Sequence, residues 1–107
     1  MTPMPERTSE QRAEALDKAL ATRRERARLR AALKDRQLHP VEVIAGAADN
    51  PVWGSVKVLW LLEAVPGLGP IRAERLMDTL GIAQSRRLQG LGERQRAALI
   101  ESLEARS

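Results

Sequence analysis

The chain has 107 residues, of which 30% are charged and 43% hydrophobic, a length and composition that suit one small domain with an appendage. It contains no Cys, Tyr or Phe and a single histidine, His39. These absences exclude disulfides, cysteine zinc sites, tyrosine nucleophiles and paired-histidine metal sites. Fifteen arginines and three lysines against 14 acidic residues give a net charge of +4 and a pI near 10.6, which predicts a polyanionic partner.

The most apolar stretch, Val56 to Val65, is too short to span a bilayer and contains Lys57 and Glu63. The first ten residues have no apolar core of the kind that a secretory signal requires. We therefore expect a cytoplasmic protein that makes no membrane contact. The residue types present also predict no cofactor and no metal.

In chain order, we expect residues 1–8 to form a disordered tail and residues 9–37 to form an arginine-rich helical arm. Thr8 followed by Gln11 is the pattern of a capping box, and the next residues to about Arg36 are strong helix formers without Gly or Pro. The four leucines of this helix form two pairs with a spacing of four residues, Leu16 with Leu20 and Leu29 with Leu33. Because the apolar stripe is thin, the first half of this helix is predicted to project from the body.

Residues 38–107 are predicted to form a compact domain of shorter helices. Prolines after His39 and Asn50 are typical of helix starts, and Gly81 is typical of a helix end. The predicted helices are Pro40 to about Ala48, a turn from Pro51 to Gly54, a core helix Val56 to Val65, Ile71 to Leu80, and Glu93 to Ala105. Ser85 is expected to cap a short turn that carries Arg86 and Arg87, and Ile71 and Ala97 are assigned to packed faces. No segment alternates with period two, so the predicted fold class is all-α with no strands.

The order Leu62, Val65, Pro66-Gly67-Leu68-Gly69, Ala73 matches a helix-hairpin-helix pattern at every defining position. The proline ends the first helix, and the glycines permit backbone conformations closed to other residues. The loop N–H groups then lie beside the positive end of the second helix and can hold one phosphate. The alternative is that these residues form only a tight connection between two helices.

A second informative stretch is Arg86-Arg87-Leu88 followed by Gly90-Leu91-Gly92 and Arg94-Gln95-Arg96. Together with Lys57-Val58, Leu61-Leu62-Glu63-Ala64 and Pro66-x-x-Gly69, it makes residues 56–103 resemble the actinobacterial, or mycobacterial-type, integration host factors. The resemblance extends more loosely over the N-terminal arm. It implies a helix–two-turns–helix (H2TH) domain behind a long N-terminal helix.

The resemblance also implies a nucleoid protein that binds duplex DNA with little sequence preference, bends or compacts it, and assists integration through a site-specific recombinase. The DNA-binding residues expected from the motif and the resemblance are Lys57, Pro66, Gly67, Leu68, Gly69, Arg72, Arg75, Arg86, Arg87, Gln89, Gly90, Arg94 and Arg96. A possible second DNA surface consists of Arg23, Arg24, Arg26, Arg28 and Arg30. Three positions depart from the family pattern: Ser55, Pro70 and Gln89 stand where basic residues are usual, which predicts fewer phosphate contacts.

Three other functions compete with this interpretation. A phosphate-binding hairpin of this type also suits a structured-RNA module of the ribosomal-protein kind. Hairpin motifs also serve DNA glycosylases and nucleases, but the chain offers only Lys18, Lys34 and Lys57 as amine nucleophiles and no carboxylates with metal-ligand spacing, so we predict a non-catalytic protein. A coiled-coil role for the arm lacks a heptad seam, and we expect a monomer in the absence of DNA.

Overall fold

The computed structural model describes residues 8–106, so the tail predicted for residues 1–7 lies outside the described residues. The described chain is all-α, as predicted: α1 Ser9–Lys34, α2 Pro40–Gly46, α3 Pro51–Ser55, α4 Val58–Glu63, α5 Gly69–Leu80, a 3₁₀ turn Leu88–Gly90, and α6 Glu93–Ala105. Within residues 8–106 the only extended pairing is an isolated antiparallel bridge between Lys57 and Arg87.

The long helix α1 begins with the predicted capping box. The Thr8 hydroxyl accepts from the Gln11 N–H at 3.1 Å, and the Gln11 side-chain oxygen accepts from the Thr8 N–H at 2.9 Å. Leu16 and Leu20 are 60% and 36% exposed, which confirms that the first half of α1 projects. The helix ends at Lys34, earlier than predicted, because Arg36 adopts a left-handed φ of 60° and the Gln37 N–H bonds to the Ala32 carbonyl at 2.9 Å.

Short helices α2 and α3 start where the prolines indicated. The His39 Nδ1 accepts from the Val41 N–H at 3.1 Å, and the Asn50 side chain accepts from Val52 and Trp53 N–H groups at 3.1 and 3.2 Å. The two capping residues are themselves extended, which is the conformation favoured in a residue that precedes proline.

The hydrophobic core joins all six helices and includes the second half of α1. Its fully buried side chains include Leu33 of α1, Ile44 of α2, Leu61 and Leu62 of α4, Met77 of α5 and Leu99 of α6. Trp53 and Trp60 pack against this cluster while remaining half-exposed. The core therefore holds α1 by its C-terminal half and leaves its N-terminal half in solvent.

Several details of the predicted domain are wrong. Helix α4 is shorter than the predicted Val56 to Val65 because Val56 and Lys57 are extended and pair with the segment at Arg86–Leu88. Arg87 is likewise extended, and the short helical turn follows it at Leu88–Gly90 rather than being capped by Ser85.

Two residues assigned to packed faces are exposed instead. Ile71 is 67% exposed because buried Ala73 and Met77 define the opposite side of α5, and a helical residue two positions from Ala73 points about 200° away. Ala97 is exposed because α6 buries Leu99 and Leu103.

Candidate nucleic-acid interface

The hairpin between α4 and α5 has the geometry that its sequence pattern predicts. Gly67 and Gly69 adopt positive φ values of 83° and 73°, and both are exposed, with no residue other than their neighbours along the chain within 4 Å of the position that a Cβ would take. Leu68 between them is buried, and its N–H bonds to the Val65 carbonyl at 3.3 Å. Buried Ala73 leaves room for the two helices to approach closely. The loop is thus anchored by one leucine and open on its outer side.

The arginine pair lies alongside the start of α4 rather than on a separate turn. The Val58 N–H donates to the Arg86 carbonyl at 2.9 Å, and the Leu88 N–H donates to the Val56 carbonyl at 3.0 Å. These two bonds hold Lys57 directly across from Arg87. Both side chains are exposed, so two cations from segments 30 positions apart in the chain are held side by side.

A third cation reaches the same place from α1. The Arg26 Nη2 donates to the Ser55 hydroxyl at 3.1 Å, and that hydroxyl donates to the Val52 carbonyl at 2.8 Å. The Arg87 guanidinium donates to the Ser55 backbone carbonyl. Ser55 therefore connects α1 to the arginine pair through its side chain and its backbone.

Together these residues surround a cavity of about 240 Å³, which we call the cationic pocket; it is lined by Arg26, Ser55, Val56, Lys57, Trp60 and Arg87. Three of its six lining side chains are cationic and none is acidic. The Arg26 Nε is buried with no hydrogen-bond partner in the described structure. Clustered like charges and an unsatisfied buried donor are both unfavourable in the absence of a counter-charge.

The structure places Arg26 apart from the four neighbouring arginines with which the sequence grouped it as a possible second DNA surface. Arg23, Arg24, Arg28 and Arg30 are exposed along α1, whereas Arg26 is half-buried against α3. The leucine spacing held a signal for this difference, because Arg26 precedes Leu29 by three residues and Leu33 by seven, which places it on their side of α1. Trp60 and Ser55, which also line the pocket, were not among the residues predicted to bind DNA.

The remaining residues predicted to bind DNA fall at the two ends of α5. Exposed Arg72 and Arg75 lie in its first turns beside the hairpin loop, where Pro66 is half-buried. Exposed Arg94 and half-buried Arg96 lie at the start of α6. The Gln95 side-chain amide donates to the Gly81 carbonyl at 3.0 Å, and this bond holds the start of α6 next to the C-terminal end of α5. Since α5 has 12 residues, about 18 Å separates these ends. The structure therefore does not gather all the predicted residues into one compact site.

Two further predicted residues have structural contacts of their own. The Arg86 Nη1 donates to the Gly90 carbonyl at 3.0 Å, which folds this side chain over the 3₁₀ turn. Gln89 lies over α3: if Gly54 carried a Cβ, that atom would lie 3.3 Å from the Gln89 Cβ. Gly54 therefore permits the close approach of α3 and the 3₁₀ turn beneath the pocket.

Comparison with known proteins identifies the fold and the family. The S13-like H2TH domain family model matches residues 33–103. Integration host factor of Mycobacterium tuberculosis is 48% identical over 98 residues, covering 92% of this chain and 93% of that protein. Integration host factor of Streptomyces coelicolor is 49% identical over 96 residues, 90% of each chain. The chain belongs to the integration host factor family.

A solved structure of this family shares the same architecture. A chain described as sIHF bound to an 8-bp palindromic DNA has a TM-score of 0.77 and 45% sequence identity, covering 81% of this chain and 98% of that chain. The resemblance stated from the sequence and the predicted H2TH fold are therefore confirmed for this integration host factor family member.

Residues 8–106 contain neither a membrane-spanning helix nor a cluster of metal ligands. No helix in this range is both long and apolar enough to cross a membrane. The same residues contain no group of three or more His, Cys, Asp or Glu side chains placed to hold a metal ion.

Proposed function

We propose that this chain binds duplex DNA without catalysis, through phosphate contacts that are largely independent of sequence. The observation that carries the proposal is the cationic pocket, in which Arg26, Lys57 and Arg87 surround one cavity without a lining carboxylate. A DNA phosphate supplies the negative charge and the acceptor oxygens that these three side chains lack. Homology supports the same ligand, since the related sIHF chain is bound to DNA.

The hairpin loop provides a second phosphate contact in this proposal. The open outer side of Gly67 and Gly69 admits a phosphate to the loop amides, and Arg72 and Arg75 reach its neighbours along the same strand. Arg86, Gln89 and Gly90 extend the contact along the segment that carries Arg87, Arg94 and Arg96 add cations at the start of α6, and the exposed arginines of α1 add positive charge. Two contact points at opposite ends of α5 suit DNA that bends to reach both.

From bending, and from membership of the integration host factor family, we further propose that the protein compacts DNA in the nucleoid and assists a recombinase. We propose residues 9–37 as the arm and 38–107 as the DNA-binding domain, with the Arg26 contact joining them. The free protein is proposed to be a monomer.

The test is a salt titration of binding to a short duplex. Neutralising about five phosphates gives a slope of log K against log salt of about −4.5, and a slope shallower than about −2 would contradict the phosphate contacts. Arg87→Ala is expected to weaken binding, whereas Lys18→Ala, which removes one exposed charge from the first half of α1, is the matched control and leaves binding nearly unchanged.

Structured RNA is the second candidate ligand, because the matching family model is described as S13-like. Competition between a duplex and a folded RNA of equal length for the same protein distinguishes the two. Preferential binding of the RNA at matched salt would replace the DNA proposal.

A further inference from the structure

The first half of α1 carries two leucines that stay partly in solvent, Leu16 at 60% and Leu20 at 36% exposure. Leu16 and Leu20 lie four residues apart on one side of the helix, and they are two of the three exposed large hydrophobic side chains in residues 8–106. Glu10 and Asp17 lie on the neighbouring side, seven residues apart. Within residues 8–22 acidic side chains outnumber basic ones, although the whole chain is basic. This half-helix is therefore apolar on one side, with Glu10 and Asp17 along one edge and Arg12 in line with the leucines.

An apolar groove with a basic rim lies at the opposite end of the molecule. It has a volume of about 430 Å³ and lies between the end of α1, the hairpin loop and the end of α6. Leu33, Leu38, Val65 and Leu103 form its apolar floor, and the exposed Arg36 and Arg106 stand at its edge. Pro66 and Gly67 of the hairpin loop line one side, so a docked helix must leave the outer side of that loop open for the proposed phosphate contact.

The backbone at Arg36 is a separate observation that points to this groove. Its φ of 60° is the only positive value among non-glycine residues in the described part of the chain. A left-handed conformation costs a residue with a side chain about 1–2 kcal/mol, and glycine usually occupies this position after a helix. Residues kept in such conformations cluster at binding sites. An arginine held here keeps a guanidinium at the groove.

The leucines of α1 cannot fill the groove of their own chain. Helix α1 is continuous from Ser9 to Lys34, so Leu16 lies about 25 Å along the axis from Leu33 at the groove. The helix would have to break to fold back. A matching occupant must therefore come from another molecule, and a second copy of this chain offers a complementary one.

We propose that the first half of α1 of one copy docks in the apolar groove of the next copy. Leu16 and Leu20 then cover the floor, and the acidic edge formed by Glu10 and Asp17 faces Arg36 and Arg106. This is recognition of an amphipathic helix by a groove, in which apolar side chains provide burial and the charged edge sets the orientation.

The geometry of this contact dictates the form of assembly. Helix and groove are different surfaces of the chain, so each copy can bind one neighbour at each end, and the assembly is an open row rather than a closed dimer. Two leucines bury less surface than a stable interface requires, so free copies remain monomeric. Copies that bind side by side on DNA have a high local concentration and associate. The inference rests on the proposed DNA binding only for this gathering of copies.

The test compares binding to a long duplex that holds several copies with binding to a short duplex that holds one. Wild-type protein is expected to bind the long duplex cooperatively. Leu16→Ser/Leu20→Ser is expected to reduce the cooperativity constant at least about tenfold, through lost apolar burial, with unchanged affinity for the short duplex. Ala19→Ser/Ala21→Ser changes exposed residues of the same half-helix and is the control for helix propensity.

Charge reversal supplies a second measurement that does not depend on the leucines. Glu10→Arg/Asp17→Arg and Arg36→Glu/Arg106→Glu are each expected to lower cooperativity, and the four changes in one chain are expected to restore it. Non-cooperative wild-type binding, unchanged cooperativity in the leucine variant, or no restoration in the four-fold variant would each overturn the inference. If the wild-type protein did not bind the short duplex, the proposed function itself would be contradicted.

Discussion

The substitution Arg26→Met tests whether α1 contributes directly to the anion site. Methionine keeps an unbranched apolar stem of similar length, so the packing of the half-buried side chain against α3 is largely retained. The change removes the guanidinium that donates to the Ser55 hydroxyl at 3.1 Å, and it removes the buried Nε that lacks a partner. The fold should therefore tolerate it, since no buried group loses its only hydrogen bond: the Ser55 hydroxyl still donates to the Val52 carbonyl.

The expected effect on DNA binding follows from the three cations around one cavity. Removing one charge-assisted contact to a phosphate costs about 1.5 kcal/mol, or roughly tenfold in affinity, and reduces the steepness of the salt dependence by about 0.9. Fluorescence anisotropy with a short labelled duplex across a salt series measures both quantities. Circular dichroism melting of the same samples verifies that the variant is folded.

Lys18→Met is the matched control, since it removes one exposed cation from the projecting half of the same helix. It should leave the salt slope within error of wild type. If Arg26→Met behaved like Lys18→Met in a folded protein, the cationic pocket would not be a phosphate site. If both variants lost equal affinity, general attraction to the basic chain would explain binding without a defined pocket.

Three further predictions concern stability. Gly54→Ala should lower the free energy of unfolding by about 2 kcal/mol in urea titrations, because the new carbon would lie 2.8 Å from a backbone carbonyl oxygen; a stabilised variant, as expected from helix propensity alone, would contradict this. Leu99→Ala should cost about 2–5 kcal/mol since Leu99 is fully buried, whereas Ile71→Ala should change stability by less than about 0.5 kcal/mol, and equal effects would refute the burial assignment. Thr8→Ala should lower the local stability of the first turn of α1 by about 1 kcal/mol, measured as faster amide hydrogen exchange there. The global melting temperature should stay unchanged, because that half of α1 lies outside the core. A shift of the global melting temperature would show that this half is coupled to the core.

Local signals in the sequence determined several helix boundaries. The Thr8 capping box and the prolines at positions 40 and 51 placed three helix starts correctly, and Gly81, with a φ of 69°, ended α5 as predicted. Such signals are readable because each rests on hydrogen bonds or dihedral limits within a few residues of one another. The hairpin motif was readable for the same reason, and with the arginine-glycine stretch it predicted the family.

Tertiary structure alone decided which charges meet. Val56 and Lys57 left the predicted core helix because their backbone found partners at Arg86–Leu88, and Arg26 joined them through Ser55, 29 residues away in the chain. No local pattern specifies these distances, since they depend on how the buried leucines of α1, α4 and α6 pack against one another. The sequence by itself thus determined a basic, all-helical chain with a glycine hairpin between two helices. Packing of the core then turned the side of α1 that carries Arg26 toward the body and left Arg23 and Arg24 in solvent, because only one side of a helix can face a core.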